Sequence, residues 1–142
     1  MAARQPLTKD IVAGVTKTIT LTEVSADGLT VTTKWDTAGT GGGTTFDKSQ
    51  TDVTVLNANG SKTQTISNLT GTTLTSRTLA TTSANRLSVT TQIDPTGTGS
   101  YSQTATDVTV LNAIGTKTRT VESKRADGSL ISGPPPRQAR TA

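Results

Sequence analysis

Apolar and hydroxyl-bearing residues alternate along most of this chain. In VTKTITLTEV, residues 15–24, the side chains Val15, Lys17, Ile19, Leu21 and Glu23 are interleaved mainly with threonine. A period of two is the signature of a pleated, half-buried strand. The same texture returns in LTVTTKW (29–35), DVTVL (52–56), SKTQTIS (61–67), Leu74 to Thr82 and LSVTTQID (87–94). Between these runs the turn formers Gly, Asn and Asp cluster near residues 27, 41, 59, 71, 84, 98, 114 and 127. Short β-branched runs separated by such clusters read as about nine strands joined by turns. No stretch shows a 3.6-residue apolar period with helix caps. The expected class is all-β, with tandem antiparallel β-hairpins forming an extended meander or repeat stack.

The chain repeats itself. TDVTVLNANGSKT, residues 51–63, returns 55 residues later as TDVTVLNAIGTKT, residues 106–118, with 11 of 13 positions identical. Ser25-Ala26-Asp27-Gly28-Leu29 returns as Ser83-Ala84-Asn85-Arg86-Leu87 at an offset of 58. The offset falls from 58 to 55 because the first glycine-rich loop is three residues longer. Within the repeated hairpin only the glycine of Asn59-Gly60 persists; Ile114 replaces Asn59. A two-residue type I′ turn needs positive φ at both positions, which a β-branched residue resists. A longer loop with only Gly60 or Gly115 left-handed, such as a type I turn closed by a bulge, suits both copies. The sequence divides into a loose start (1–10), a tandem hairpin region of about two units of 55–58 residues (11–132) and a disordered Pro/Arg tail (133–142). With so few repeats and both ends open, stability alone should be marginal.

Composition narrows the chemistry. Threonine makes up 34 of the 142 residues, while Leu, Ile, Val and Phe together make up 27. An ordered but thinly cored β protein fits these values. There is no cysteine and no histidine. That removes disulfides, thiolate metal sites, and every Ser-His or Cys-His nucleophile pair. The acids sit singly at turns, so the chain is not read as an enzyme. The net charge of +4 arises mainly from residues 117–142, and there is one Trp, one Tyr and one Phe. Nucleic-acid binding wants clustered cations with stacking aromatics, so it is not expected. No apolar run is long enough to span a membrane, and the N-terminal stretch has no apolar core of signal-peptide length.

Two glycine-rich loops occupy the same place in the repeat, Asp36 to Asp47 and Asp94 to Ser102. Oxygen-bearing side chains at Asp94, Thr96, Thr98 and Ser102, with Gly97 and Gly99 between them, share the layout of an acidic calcium loop. Asp52 and Asp107 open the two hairpins and could complete the preceding loops; the plainer reading is a turn acceptor for backbone N–H groups. Trp35, Phe46 and Tyr101 flank the loops and could form a stacking platform for sugars or pack a thin core. Rows of Thr could meet a flat surface polysaccharide.

As a whole the unit resembles the repeat region of very large secreted bacterial proteins, the RTX-like or haemolysin-type calcium-binding proteins with an adhesin character. SADGLTVTTKWD, LSVTTQID, NANGSKT and ADGSLIS carry the likeness, over most of residues 16–132. The resemblance implies a structural or adhesive segment that is extracellular or at the cell surface. It implies calcium as the cofactor, with Asp36, Asp47, Asp52, Asp94 and Asp107 as candidate ligands. It also implies neighbouring repeats, or self-association through open sheet edges, as partners. The loops here carry fewer Asp residues than the loops they resemble, and calcium affinity follows ligand charge.

Overall fold

A computed structural model describes residues 7–131 and the backbone of residues 3–4. The expected Pro/Arg tail lies outside the described residues. Ten strands form one sheet: β1 (Ala3–Arg4), β2 (Thr8–Val12), β3 (Val15–Val24), β4 (Thr30–Asp36), β5 (Lys48–Leu56), β6 (Lys62–Thr70), β7 (Thr73–Thr82), β8 (Ser88–Asp94), β9 (Gln103–Leu111) and β10 (Lys117–Arg125). Every pairing is antiparallel, and from β3 to β10 each strand pairs with the next in sequence. This is the expected meander of hairpins. The described residues contain no helix, so none is long and apolar enough to cross a membrane.

The repeat becomes a four-strand unit. Adding 58 to the bounds of β3 and β4 gives those of β7 and β8, and adding 55 to β5 and β6 gives β9 and β10. A local β-bulge repeats as well. The β6–β7 register shifts between Asn68 and Leu69, leaving Thr75 as the extra residue. The β2–β3 register shifts between Asp10 and Ile11, 58 residues earlier, leaving Lys17 as the extra residue.

Within the stretch read as a loose start, residues 3–4 and 8–10 lie on strands. β1 and β2 both lie along the outer edge of β3; β2 pairs with β3 in the register that the end of β6 takes on β7, and β1 is displaced from that register by one residue. The segment has little apolar character, and all of β2 is exposed. It is held by the ladder hydrogen bonds that β3 offers on its open side. Edge pairing of this kind needs backbone groups and no apolar stripe, so hydrophobic periodicity does not reveal it.

Among the described residues no second layer packs on the sheet, so its interior is thin. Among the described residues only Ile19 and Leu21 are buried apolar side chains, and the other two buried side chains are Asp36 and Asp94. Elsewhere the strands are mostly half-buried on both faces, each side chain covered by its cross-strand neighbours. Such pairs contribute about 0.2–1 kcal/mol each. Cohesion therefore comes from many lateral pairs along the array, and no central core supplies it.

The turns match their chemistry. Gly60 N–H donates to the Asn57 carbonyl at 2.9 Å, Asn57 N–H donates to the Ser61 carbonyl at 2.9 Å, and Gly60 has φ of 81°. Gly115 repeats this with φ of 82°, and neither Asn59 nor Ile114 is left-handed. This is the type I turn with a glycine bulge. In the longer turn, Asp27 accepts from the Ser25 hydroxyl at 2.5 Å and from Leu29 N–H at 3.0 Å, with Gly28 left-handed. Its repeat keeps the network through Ser83 and Asn85, but Arg86 takes the glycine position at φ of 60°. A side chain there costs about 1–2 kcal/mol, of which the extra freedom of glycine in the unfolded chain offsets part. Arg86→Gly should therefore stabilise the fold by about 0.5–1 kcal/mol, read as a higher urea midpoint at unchanged m-value.

Candidate functional site

The two glycine-rich loops are the places where the chain leaves the regular sheet, and each is built around one buried carboxylate. Asp36 ends β4, in register with Ile19. Its Oδ1 accepts from Ala38 N–H at 3.2 Å and Gly39 N–H at 2.9 Å, and its Oδ2 accepts from Gly41 N–H at 2.5 Å. Asp94 ends β8 in the same way. Its Oδ1 accepts from Thr96 N–H at 3.3 Å and Thr98 N–H at 3.2 Å, and its Oδ2 accepts from Gly99 N–H at 2.7 Å. A loop rich in glycine has many backbone donors and few side chains to answer them. The carboxylate answers them from inside.

The loops then fold back onto the bulges. A Cβ on Gly39 would sit 2.6 Å from the Thr16 carbonyl oxygen, and one on Gly97 would sit 2.1 Å from that of Leu74. Both glycines are left-handed, with φ of 69° and 70°. The second loop adds an arginine. Arg77 takes the repeat position of Ile19, in register with Asp94. Its guanidinium donates to the Gly99 carbonyl at 2.7 Å and stacks 4.6 Å above the Tyr101 ring, while its buried Nε has no hydrogen-bond partner. Aligning the chain on itself at an offset of 58 matches Arg77 to Ile19 and Asp94 to Asp36; that the two face each other is set by the register of β7 on β8.

The remaining carboxylates are engaged locally. Asp47 accepts from Thr37 N–H at 2.6 Å and from the Thr37 hydroxyl at 2.7 Å, closing the first loop. Both Asp52 oxygens accept from the Gln64 amide nitrogen, Oδ1 at 3.0 Å and Oδ2 at 2.8 Å. Asp107, its repeat counterpart, takes a two-point ion pair from Arg119, which replaces Gln64. Asp52 is in register with Val31, five residues before Asp36 on the same strand, so the two carboxylates lie on opposite faces. The same holds for Asp107 and Asp94 through Val89. Asp52 and Asp107 therefore do not complete the loops that precede them.

These contacts bear on calcium. The groups converging on Asp36 and Asp94 are N–H donors, joined at Asp94 by the Thr98 hydroxyl at 3.4 Å, whereas calcium takes six to eight oxygens. Among the described residues no three acidic side chains gather into a group able to hold a metal ion. As arranged, the donor set does not fit calcium. Trp35 is in register with Thr20 and Lys48, on the face opposite Asp36, whereas Tyr101 lies beneath Arg77 on the Asp94 face. These two rings do not share a sugar-stacking platform. Threonines align in one row across four strands, Thr63, Thr81, Thr90 and Thr106, flanked by Leu79 and Gln92 in the next row.

No protein-family model matches the chain, and no match was found among curated proteins or solved structures.

Two predictions follow from the loop geometry. Gly97→Ala forces both a left-handed alanine and a clash with backbone, and should cost about 2–4 kcal/mol. Gly99→Ala, left-handed with open space around its Cβ, should cost only about 1–2 kcal/mol. Equal urea midpoints for the two variants would contradict the packing of Gly97 on the bulge.

The second concerns acid. Burial raises the Asp94 carboxyl, but the N–H groups of Gly99, Thr98, Thr96 and Gly97 outweigh it and hold the group below its ordinary value. The Ser25 hydroxyl lowers Asp27, Thr37 lowers Asp47, Arg119 lowers Asp107 and Ser129 lowers Asp127. With depressed folded values, the unfolded chain binds protons first as pH falls. The stability these groups contribute is fully present above the ordinary carboxylate value of about 3.9 and drains away below it. Urea midpoints should be level from pH 7 to 5 and fall from pH 4 to 3; a level profile through pH 3 would contradict the assignment.

Proposed function

We propose that this chain is a non-enzymatic structural repeat segment, a stiff single-layer sheet acting as a spacer or display surface. The observation that carries this reading is the repeat in phase. The two four-strand units have matching bounds, and β2 stands to β3 as the end of β6 stands to β7, bulge included. Each unit thus offers its last strand as the edge on which the next unit is laid, the logic of a one-dimensional array. The candidate carboxylates have their oxygens already engaged by loop amides, a threonine or a cross-strand side chain, which favours a structural role over acid–base chemistry. The adhesive character and the extracellular or cell-surface setting rest on the resemblance of the repeat to secreted bacterial proteins. The single Thr row is the feature a polysaccharide-binding role would use.

A chain with a further copy of residues 71–125 inserted after Arg125 tests the modular reading. It should unfold in one transition at a higher urea midpoint. Its m-value should rise by roughly two-fifths as thirteen sheet positions replace nine. A lower midpoint, or a separate early transition, would overturn the reading. Repeating the titration in chelator and in millimolar calcium addresses the alternative. Coincident curves are expected from the donor sets of Asp36 and Asp94, while a rise confined to calcium would make the loops cation sites.

A further inference from the structure

The fourth strand of each unit appears twice, once with a successor and once without. β6 is half-buried along its middle seven residues, because β7 pairs with all of it. β10 holds the same repeat positions, and eight of its nine residues are exposed. Ile66 is half-buried, whereas its counterpart Val121 is 39% exposed.

The edge that β10 presents is an unfilled ladder. Asn112 N–H donates to the Thr116 carbonyl and Ala126 N–H to the Ser102 carbonyl. Because bonded and non-bonded pairs alternate, Thr118, Thr120, Glu122 and Lys124 point their backbone groups at β9. Arg119, Val121, Ser123 and Arg125 therefore point outward. The chain begins to fill this side itself. Arg125 N–H donates to the Ser129 carbonyl, and Ile131 N–H donates to the Ser123 carbonyl. Pro134, Pro135 and Pro136 have no N–H with which to continue such pairing. Among the described residues nothing pairs with the outer side of 117–122.

We infer that the β10 edge is an assembly surface whose partner is β3 of a second copy of this chain, joined in the β6–β7 register. This rests on the repeat reading above. The partner strand is identified on the page: β3 is the repeat counterpart of β7, the strand that β6 takes. The register follows by transfer, placing Lys117 opposite Val24, Thr118 opposite Glu23 and Val121 opposite Thr20 of the second copy. Within one copy β1 and β2 occupy that edge of β3 through seven residue pairs, whereas β6 and β7 make nine. Assembly is thus a strand exchange in which β10 replaces β1 and β2. The contact is heterologous, so it leaves a free β10 at one end and builds an open chain.

Sedimentation velocity over a wide range of concentration tests this with the full chain. The expected result is a mass distribution that moves past the dimer as concentration rises. Val121→Pro removes one outward N–H without breaking a bond to β9, so it should hold the chain at monomer mass with an unchanged β spectrum. A second readout does not depend on that variant folding. The chain has no cysteine, so Thr118→Cys and Glu23→Cys copies can be mixed and oxidised. Their positions form a close, non-hydrogen-bonded pair in the transferred register. The mixed disulfide should exceed both homodimers several-fold. Monomer mass at every concentration, or statistical mixing of the disulfides, would overturn the inference. Stabilisation by the inserted unit with no self-association would sink this inference alone and leave the repeat reading standing.

Discussion

The structure depends on how a buried carboxylate disposes of the backbone of a glycine-rich loop. Asp36 and Asp94 each close a strand and then gather the N–H groups of the residues that follow. The collected loop can lie flat against β3 or β7 because a glycine meets the chain there and because the strand is bulged at that point. Carboxylate, glycine and bulge form one device. A side chain on the glycine would strike the bulged backbone, and the carboxylate is the acceptor that the loop amides would otherwise lack. Among the described residues the only two buried apolar side chains, Ile19 and Leu21, lie on the strand that the first such loop covers.

Everything outside these loops is lateral. A sheet with no layer packed on it cannot draw its stability from a common interior, so each strand is covered only as well as its neighbours allow. This explains why identical repeat positions are half-buried in β6 and exposed in β10. It also explains why the cross-strand partners drift between repeats without disturbing the fold. Gln64 on Asp52 becomes Arg119 on Asp107, and Ile19 opposite Asp36 becomes Arg77 opposite Asp94. An open edge is the unavoidable consequence of such an architecture, and an array is the natural way to use it.

The candidate carboxylates show how one residue type reads differently in sequence and in space. In sequence, Asp36, Asp47 and Asp52 crowd one glycine-rich stretch and suggest a shared ligand. In the sheet, the pleat sends Asp52 to the other face, Asp47 turns to Thr37, and Asp36 faces inward to loop amides. A loop that supplies N–H groups to a carboxylate and a loop that supplies oxygens to a cation can have nearly the same sequence.

The sequence by itself determined the strands, the turns and the period. These are local matters: alternation selects the pleat, and the exchange of Asn59 for Ile114 already required a turn with one left-handed glycine, as Gly60 and Gly115 show. β1 and the start of β2 were not legible, because backbone pairing to β3 holds them and no alternating apolar pattern marks them. The roles of Asp94 and Arg77 were hidden for a related reason, since they depend on which residues the register sets side by side. Only the tertiary structure decided which carboxylates share a face, which strand is left without a neighbour, and that Lys17 and Thr75 are bulged to receive the loops. Register is a property of two strands at once, and no single strand encodes it alone.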